Sequence, residues 1–555
     1  MYSDDRLEFP DVIHLDVNPR PYLGQVDAEV DWEEDRKPVK TFVHIKAYEE
    51  FKREDSLIVF GRKGTGKSAM IRMLNYEIQT KSVLPYFTSV IVDEKEAYDY
   101  MVQQIWGSPL ADLPAPQLTS LLRDQWRWLI TVTAMGAVVA KVDNSTFSKE
   151  TRTIKQYLAD VTDFDIDTCG FKTSPLRLLI EALSDELGKI DYVATKVGAA
   201  LIRLANRLMT PGYKEACEAL SKILKEKNAY CLVLVDSMEL YAIYSKIVRC
   251  VTVALIDAVL ECFQKRNETR ILAKAALPTE IYNHIRISAR GKVMGRILFI
   301  MWNYNDLLSF IAKRYFMYAE GSDETPPDSL DDSRSAREYI YRFLPPKIST
   351  RRGFRFDTFA YILRHTQRKP RQLLYIFNTI LTLAEREGVN SNGKLTEEIV
   401  RNGVHAPLHE LVEEAMSMYG EIYPVDVGKL IRVAFSQEKN IFDARTLKDF
   451  IKRTHGIRRE GDMLMSNLDA ERLFLDSGVV GVVTNQAEAT SDERSVVKTV
   501  FEYQMRGTLS IKDNDWCAIH PMFNQELRLK VIPHKFVYPQ PSEEEEEQLL
   551  ESFGE

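Results

Sequence analysis

Cysteine is scarce in this sequence. There are six in 555 residues (Cys169, Cys217, Cys231, Cys250, Cys262 and Cys517), with no CxxC pair and no spacing that would gather ligands around a metal. That scatter excludes a disulfide framework and a structural zinc site, and the thiols read as reduced and packed in cores. No apolar run approaches the ~20 residues that a spanning helix needs. The longest, Trp128 to Ala140, lies between Arg127 and Lys141 and reads as a buried helix. Nor does a charged-then-apolar leader open the chain, since Met1 to Arg6 runs straight into acidic, proline-containing sequence; a cytoplasmic protein with no membrane attachment is expected. An excess of basic charge is missing too. A net charge of −8 and a pI near 5.8 argue against a protein that coats nucleic acid non-specifically, although a local basic patch could still bind it. There is no internal repeat, no catalytic triad, no LSGGQ-like segment and no guanine-reading NKxD segment, the last of which favours ATP over GTP.

What is present is an ordinary globular composition in a chain too long for one core, since single cores stop growing near ~250–300 residues. Five organisational segments are expected: an extended acidic and proline-rich lead-in over 1–35, an α/β core over 36–304, a helical region over 305–405, a further domain over 406–536, and an acidic tail over 537–555. In the core, apolar runs of strand length stand at Ser56 to Phe60, Thr88 to Val92, Cys231 to Val235, Ile271 to Leu277 and Arg296 to Ile300, alternating with helical periodicity as a parallel sheet requires. The stretch at about 95–227 is mainly helical in period and reads as an insertion. Short helices followed by the strand-like runs Gly478 to Val483 and Val500 to Met505, joined by a polar loop, suggest a winged helix near the C-terminus. The run Ser542 to Glu547 reads as a solvated tail.

One motif carries chemistry. Gly61-Arg62-Lys63-Gly64-Thr65-Gly66-Lys67-Ser68 satisfies GxxxxGK[ST], with an apolar strand before it and a helix pattern after it. Glycines let backbone N–H groups turn inward around phosphate oxygens, and the following helix presents its positive end. Lys67 is then expected to reach the β- and γ-phosphates, and the Ser68 hydroxyl to ligate Mg2+. The ion also needs a carboxylate from a neighbouring strand end. Asp236, where the most hydrophobic strand stops, is that candidate. Glu239, three residues on, is placed either to polarise the attacking water or simply to favour a helix start; the position directly after Asp236 is Ser237, which points to slow or conditional hydrolysis. Arg371, after Pro370 at the head of a helix, could touch the γ-phosphate or lie on the surface. Thr279 has the same two readings, as a γ-phosphate contact or as a helix cap. The basic stretch Ser349 to Arg371, with Phe354, Phe356 and His365 interleaved, could contact phosphate backbones or form a solvated lid surface, and Lys452 to Arg459 is a second basic cluster.

Together, Gly61 to Ser68, the Asp236 and Glu239 pair, and Pro370-Arg371 at the start of a lid helix resemble bacterial AAA+-related P-loop ATPases of the STAND and origin-recognition-like groups. The resemblance covers most of the chain, but only the phosphate loop is a specific motif. It implies an α/β P-loop NTPase core with a parallel sheet and a large helical insertion, a helical lid and a C-terminal winged-helix-like domain. It also implies ATP and Mg2+ as cofactors and hydrolysis of ATP to ADP and phosphate. Two functions follow as expectations: a STAND-like nucleotide-controlled switch working with a partner protein or by self-assembly, with a possible place in anti-phage defence; or a DNA-binding ATPase of origin-recognition or transposition-helper type, meeting DNA through the winged helix and Ser349 to Arg371. Any arginine finger is open, with Arg286, Arg290, Arg296 and Arg314 all available.

Overall fold

A computed structural model describes residues 18–546 except 27–29, 33–36, 82–84, 93–101, 103–104, 106–108, 143–147, 189–202, 205–206, 237–245, 283–284, 286–293, 322, 350–354, 424, 455–466, 507 and 544. The chain forms two compact units, one from 46–63 and 67–300, the other from the described parts of 1–45, 64–66 and 301–555.

The first unit is built on a parallel sheet of five strands, β1 (Ile58–Gly61), β2 (Tyr86–Val92), β3 (Tyr230–Val235), β4 (Ile271–Pro278) and β5 (Ile297–Phe299). Their order is β2-β3-β4-β1-β5, so β1 lies between β4 and β5 with Ile58 opposite both Ala275 and Ile297. Strands covered on both faces need apolar residues throughout rather than alternation, and all eight residues of β4 are buried. Between β2 and β3 the chain makes a helical insertion that includes Ala115–Lys141, Ser148–Val161, Pro175–Gly188 and Pro211–Glu226. The apolar run around Trp128 is the buried middle of the first of these, and the Trp128 indole donates to the Tyr157 hydroxyl at 2.9 Å.

β4 contains one charged residue, Lys274, with no exposed surface. Its ammonium donates to three backbone carbonyls, those of Phe51 (2.6 Å), Arg53 (2.6 Å) and Ser56 (2.7 Å), and so ties the turn that feeds β1 to the central strand.

In the second unit, helices Tyr304–Glu320, Ser333–Ile340, Thr358–Arg364, Pro370–Arg386 and Glu397–His405 form the lid. Their starts are set locally: Asn303, Asp332, Asp357 and Thr396 each accept a first-turn backbone N–H, and Pro370 occupies the first turn of its helix. Within this unit the described part of the lead-in lies along Pro370–Arg386. Leu23 N–H donates to the Asn378 side chain (2.9 Å), Arg20 and Tyr22 reach Glu385, and Arg314 pairs with Asp31 at 2.8 Å.

The C-terminal part is a winged helix. Helices Val427–Phe435, Ala444–Arg453 and Asn467–Asp476 accompany a sheet of β6 (Ile441–Asp443), β7 (Val480–Val483), β8 (Ser495–Val500), β9 (Trp516–Ile519) and β10 (Lys535–Pro539), in the order β6-β9-β7-β8-β10. β6, β9, β7 and β8 are antiparallel neighbours, and β10 closes the edge parallel to β8.

Two expectations need correction here. The run Val500 to Met505 is not a strand; β8 ends at Val500 and Glu502–Gln504 makes a single 3-10 turn. The acidic run is not wholly solvated either. Glu545 has no exposed surface, because Arg368 pairs with it at 2.8 Å and the Tyr538 hydroxyl donates to it at 2.6 Å. No helix among the described residues is long and apolar enough to cross a membrane.

Candidate nucleotide site

The phosphate loop begins where β1 ends. Gly64 and Gly66 have φ of +82° and +90°, the left-handed region that side-chain-bearing residues avoid. These two positions give the motif its physical need for glycine. Lys67 then opens a 15-residue helix, Lys67–Lys81, so the loop ends on a helix N-terminus. Lys67 is buried, and its ammonium donates to the loop's own carbonyls at Gly61 (3.0 Å) and Arg62 (3.3 Å).

Ser68, one residue into the helix, donates its hydroxyl to Asp236 Oδ1 at 3.2 Å. Asp236 lies at the end of β3, two strands from β1, and is 4% exposed; its own N–H is held by the Val92 carbonyl at 2.9 Å. A hydroxyl and a carboxylate meeting at a helix N-terminus are hard oxygen donors of the kind Mg2+ takes, so this donor set fits the ion. Glu239 and Ser237 lie outside the described residues. Thr279 and Glu280 stand just past β4, whose Pro278 is opposite Gly61 in the register, and Thr279 begins a short helix, Thr279–Tyr282.

Residues 64–66 have their neighbours in the second unit. The Arg371 N–H donates to the Gly64 carbonyl at 3.4 Å, and a Cβ on Gly64 would come within 3.0 Å of the Arg371 Cβ. The guanidinium itself is directed to the Val26 carbonyl (Nε, 3.2 Å) and to Glu414 (3.4 Å). The Trp302 indole N–H donates to the Thr65 carbonyl at 2.9 Å. Sequence reasoning did not single out Trp302 or Lys274. A tryptophan after a strand and a lysine inside one carry no motif, and only the fold gives them partners.

Most described cations of the stretch Ser349 to Arg371 are turned inward. Arg364 is buried, stacked 3.7 Å from the Phe536 ring and donating to the Val537 carbonyl; Arg368 is taken by Glu545, and Lys369 and His365 are buried. Phe356 stacks on Phe536 at 3.7 Å. Aromatic and aliphatic surroundings have drawn these cations inward with partners, and Arg355 is the exposed cation among the described residues of the stretch. Arg351, Arg352 and Phe354 lie outside those residues. In the second cluster Lys452 pairs with Asp449 and Arg453 with Glu438. Of the arginines considered as fingers, Arg296 stacks over Phe263 and Arg314 is paired with Asp31; Arg286 and Arg290 lie outside the described residues.

A parallel sheet with a glycine loop after β1 and a Ser68–Asp236 pair at the strand ends defines a P-loop NTPase core. A family model described as ORC-CDC6-like matches residues 28–96, which span β1, the phosphate loop, its helix and β2. The similarity to that family is confined to this segment. Among solved structures, the ORC2 protein of Aeropyrum pernix in ADPNP–ADP complexes is 11% identical over 84% of this chain and 92% of that one, with a TM-score of 0.34. Cdc6p from Pyrobaculum aerophilum is 10% identical over 94% and 96%, with a TM-score of 0.26. Comparison with curated proteins finds no match.

Proposed function

We propose that this chain is an ATP-binding regulatory ATPase of the origin-recognition-like kind, which hydrolyses ATP slowly and passes its nucleotide state to a partner protein engaged by the winged-helix domain. The observation that carries the nucleotide part is the loop itself, with Gly64 and Gly66 left-handed, Lys67 folded onto it and Ser68 on Asp236. In this reading Ser68 and Asp236 hold Mg2+, Lys67 and the loop amides hold the phosphates, and Arg371 answers to the γ-phosphate. The bound ion would offset phosphate charge; the chain's own contribution is to place the phosphates.

The partner part rests on charge. Asn467–Asp476, which occupies the place of a recognition helix in a winged helix, carries Asp469, Glu471 and Asp476 against one arginine, and Arg472 is paired with Asp476 and Glu502. An acidic helix is repelled by phosphate backbones. A second reading, a DNA-binding ATPase of origin-recognition type, has the domain bind duplex DNA. ATP turnover by the purified chain, with and without duplex DNA and beside Lys67→Ala, separates the two. Slow, Lys67-dependent turnover indifferent to DNA supports the first; stimulation by DNA that fades as salt rises supports the second. Absence of Lys67-dependent turnover leaves ATP as a ligand only.

A further inference from the structure

We propose that Trp302 is a positioning residue for the phosphate loop, acting through the Thr65–Gly66 peptide; this rests on the nucleotide-site reading above. A trans peptide is planar, so its C=O and the following N–H point in opposite directions. The Trp302 indole holds the Thr65 carbonyl at 2.9 Å, which fixes the Gly66 N–H on the other side of that plane. The preceding peptide is held in the same way, because the Arg371 N–H takes the Gly64 carbonyl at 3.4 Å and so directs the Thr65 N–H oppositely. Two successive carbonyls are held by donors, leaving two successive amides to face the other way. Amides of this loop are the groups that cradle the α- and β-phosphates.

The loop cannot set these directions by itself. Gly64 and Gly66, at φ +82° and +90°, have no Cβ to restrict them, and glycine explores more backbone conformations than any other residue. The indole is itself well fixed. Its ring meets Phe310 edge-on at 5.8 Å, and the next residue, Asn303, caps helix Tyr304–Glu320 by accepting the Asp306 N–H at 2.8 Å. A Cβ placed on Gly66 would lie 4.0 Å from Trp302 Cζ2, so the ring lies against the loop at the point it steers. Because both nucleotides carry α- and β-phosphates, Trp302 serves ATP and ADP alike, unlike a γ-phosphate sensor.

Trp302→Phe keeps an aromatic ring against Phe310 and removes the donor. Calorimetric titration with MgATP and with MgADP is expected to show both affinities weakened by about 5- to 20-fold, the range for one lost hydrogen bond of about 1–2 kcal/mol. In turnover the loss falls on KM rather than on kcat, and the melting temperature of the nucleotide-free protein stays within about 2 °C of the parent's. Affinities within twofold of the parent for both nucleotides overturn the proposal, as does a loss confined to ATP. If the nucleotide-free protein melts earlier, the benzothiophene analogue of tryptophan at position 302, which keeps the shape and lacks the N–H, decides: weakened binding upholds the proposal and parental binding refutes it. A parent chain that binds neither nucleotide refutes the underlying site reading instead.

Discussion

Lys274→Met tests whether a charge buried in the central strand is held at a cost that depends on pH. The side chain has no exposed surface, and burial pulls its pKa down from 10.5 to about 7, opposed by the more distant carboxylates of Asp55 and Glu54. At about 1.4 kcal/mol per pH unit, that depression is worth about 5 kcal/mol between the two protonation states. The folded state refuses a proton that the unfolded chain accepts between pH 7 and 10.5, so the parent gains stability as pH rises through that window and loses it on the way down. Methionine fills similar space but donates nothing, leaving the carbonyls of Phe51, Arg53 and Ser56 without this donor. At pH 9.5 the parent's neutral amine gives two N–H groups and the Arg53 carbonyl keeps the Ser56 N–H at 3.2 Å, so the variant should be less stable by about 3–5 kcal/mol, the cost of two buried acceptors at about 1–3 kcal/mol each. At pH 6 the parent bears the desolvation of its ammonium and the difference should shrink to about 1 kcal/mol. Urea unfolding at pH 6, 8 and 9.5, read by hydrogen exchange in β1 and β4, measures it, and other titrating groups cancel between parent and variant. A difference that stays constant or widens toward pH 6 refutes the reasoning and means that three carbonyls suffice to hold the ammonium.

Asp236→Asn should lower Mg2+-dependent turnover by about 100-fold or more while ADP binding without Mg2+ stays within about threefold, measured by phosphate release and titration. Glu414→Gln weakens the partner that holds the Arg371 guanidinium at 3.4 Å; the preference for ATP over ADP should rise by about 3- to 10-fold, and an unaltered preference would show that Glu414 does not compete with the γ-phosphate. Arg368→Ala leaves the Glu545 carboxylate buried without its cation, and urea unfolding should show a loss of about 3–5 kcal/mol. His520 is fully buried and burial, with Arg364 nearby, holds its pKa at about 3 against an ordinary 6.5. Its folded state refuses a proton that the unfolded chain takes, so stability should fall as pH drops from 6.5 toward 3, with a shallower slope in His520→Asn.

Much of the core was legible because its signals are local. A buried parallel strand is a short apolar run, and all five runs read from sequence correspond to strands within a few residues, β1 to β5. The phosphate loop is legible for a similar reason: two left-handed backbone positions demand glycine wherever the rest of the chain goes. The depth of the described cations in the basic stretch was not legible, because charge in sequence says nothing about burial. Arg364 and Arg368 look like a phosphate-binding surface until Phe536, the Val537 carbonyl and Glu545, more than 170 residues later, enclose them. The acidic run misled in the same way, since one glutamate of it is the partner that the buried arginine requires. Val500 to Met505 was a matter of one boundary, where β8 gives way to a turn.

The two residues with the most consequence for the loop outside the motif, Lys274 and Trp302, share a physical feature that explains why sequence hides them. Each acts on backbone carbonyls rather than on another side chain. Lys274 takes the carbonyls of Phe51, Arg53 and Ser56 just before β1, and Trp302 takes that of Thr65 just after it. A carbonyl is present at every position, so nothing in the recipient residues marks them as partners, and no pair of residue types betrays the contact. What each contact supplies is direction, to the turn that launches β1 and to the peptide that aims the Gly66 amide, and ordering backbone costs of order 1–2 kcal/mol per residue. A phosphate loop assembled only from its motif would have to meet that cost when nucleotide binds. With both carbonyls already held, part of it is met on folding, and binding energy is left for the phosphates. It follows that Lys274→Met and Trp302→Phe should each weaken ADP binding, and that the two losses should be additive, because the two contacts order different peptides on opposite sides of β1. A double variant that binds ADP no worse than the weaker single variant would show instead that the turn and the loop order as one element.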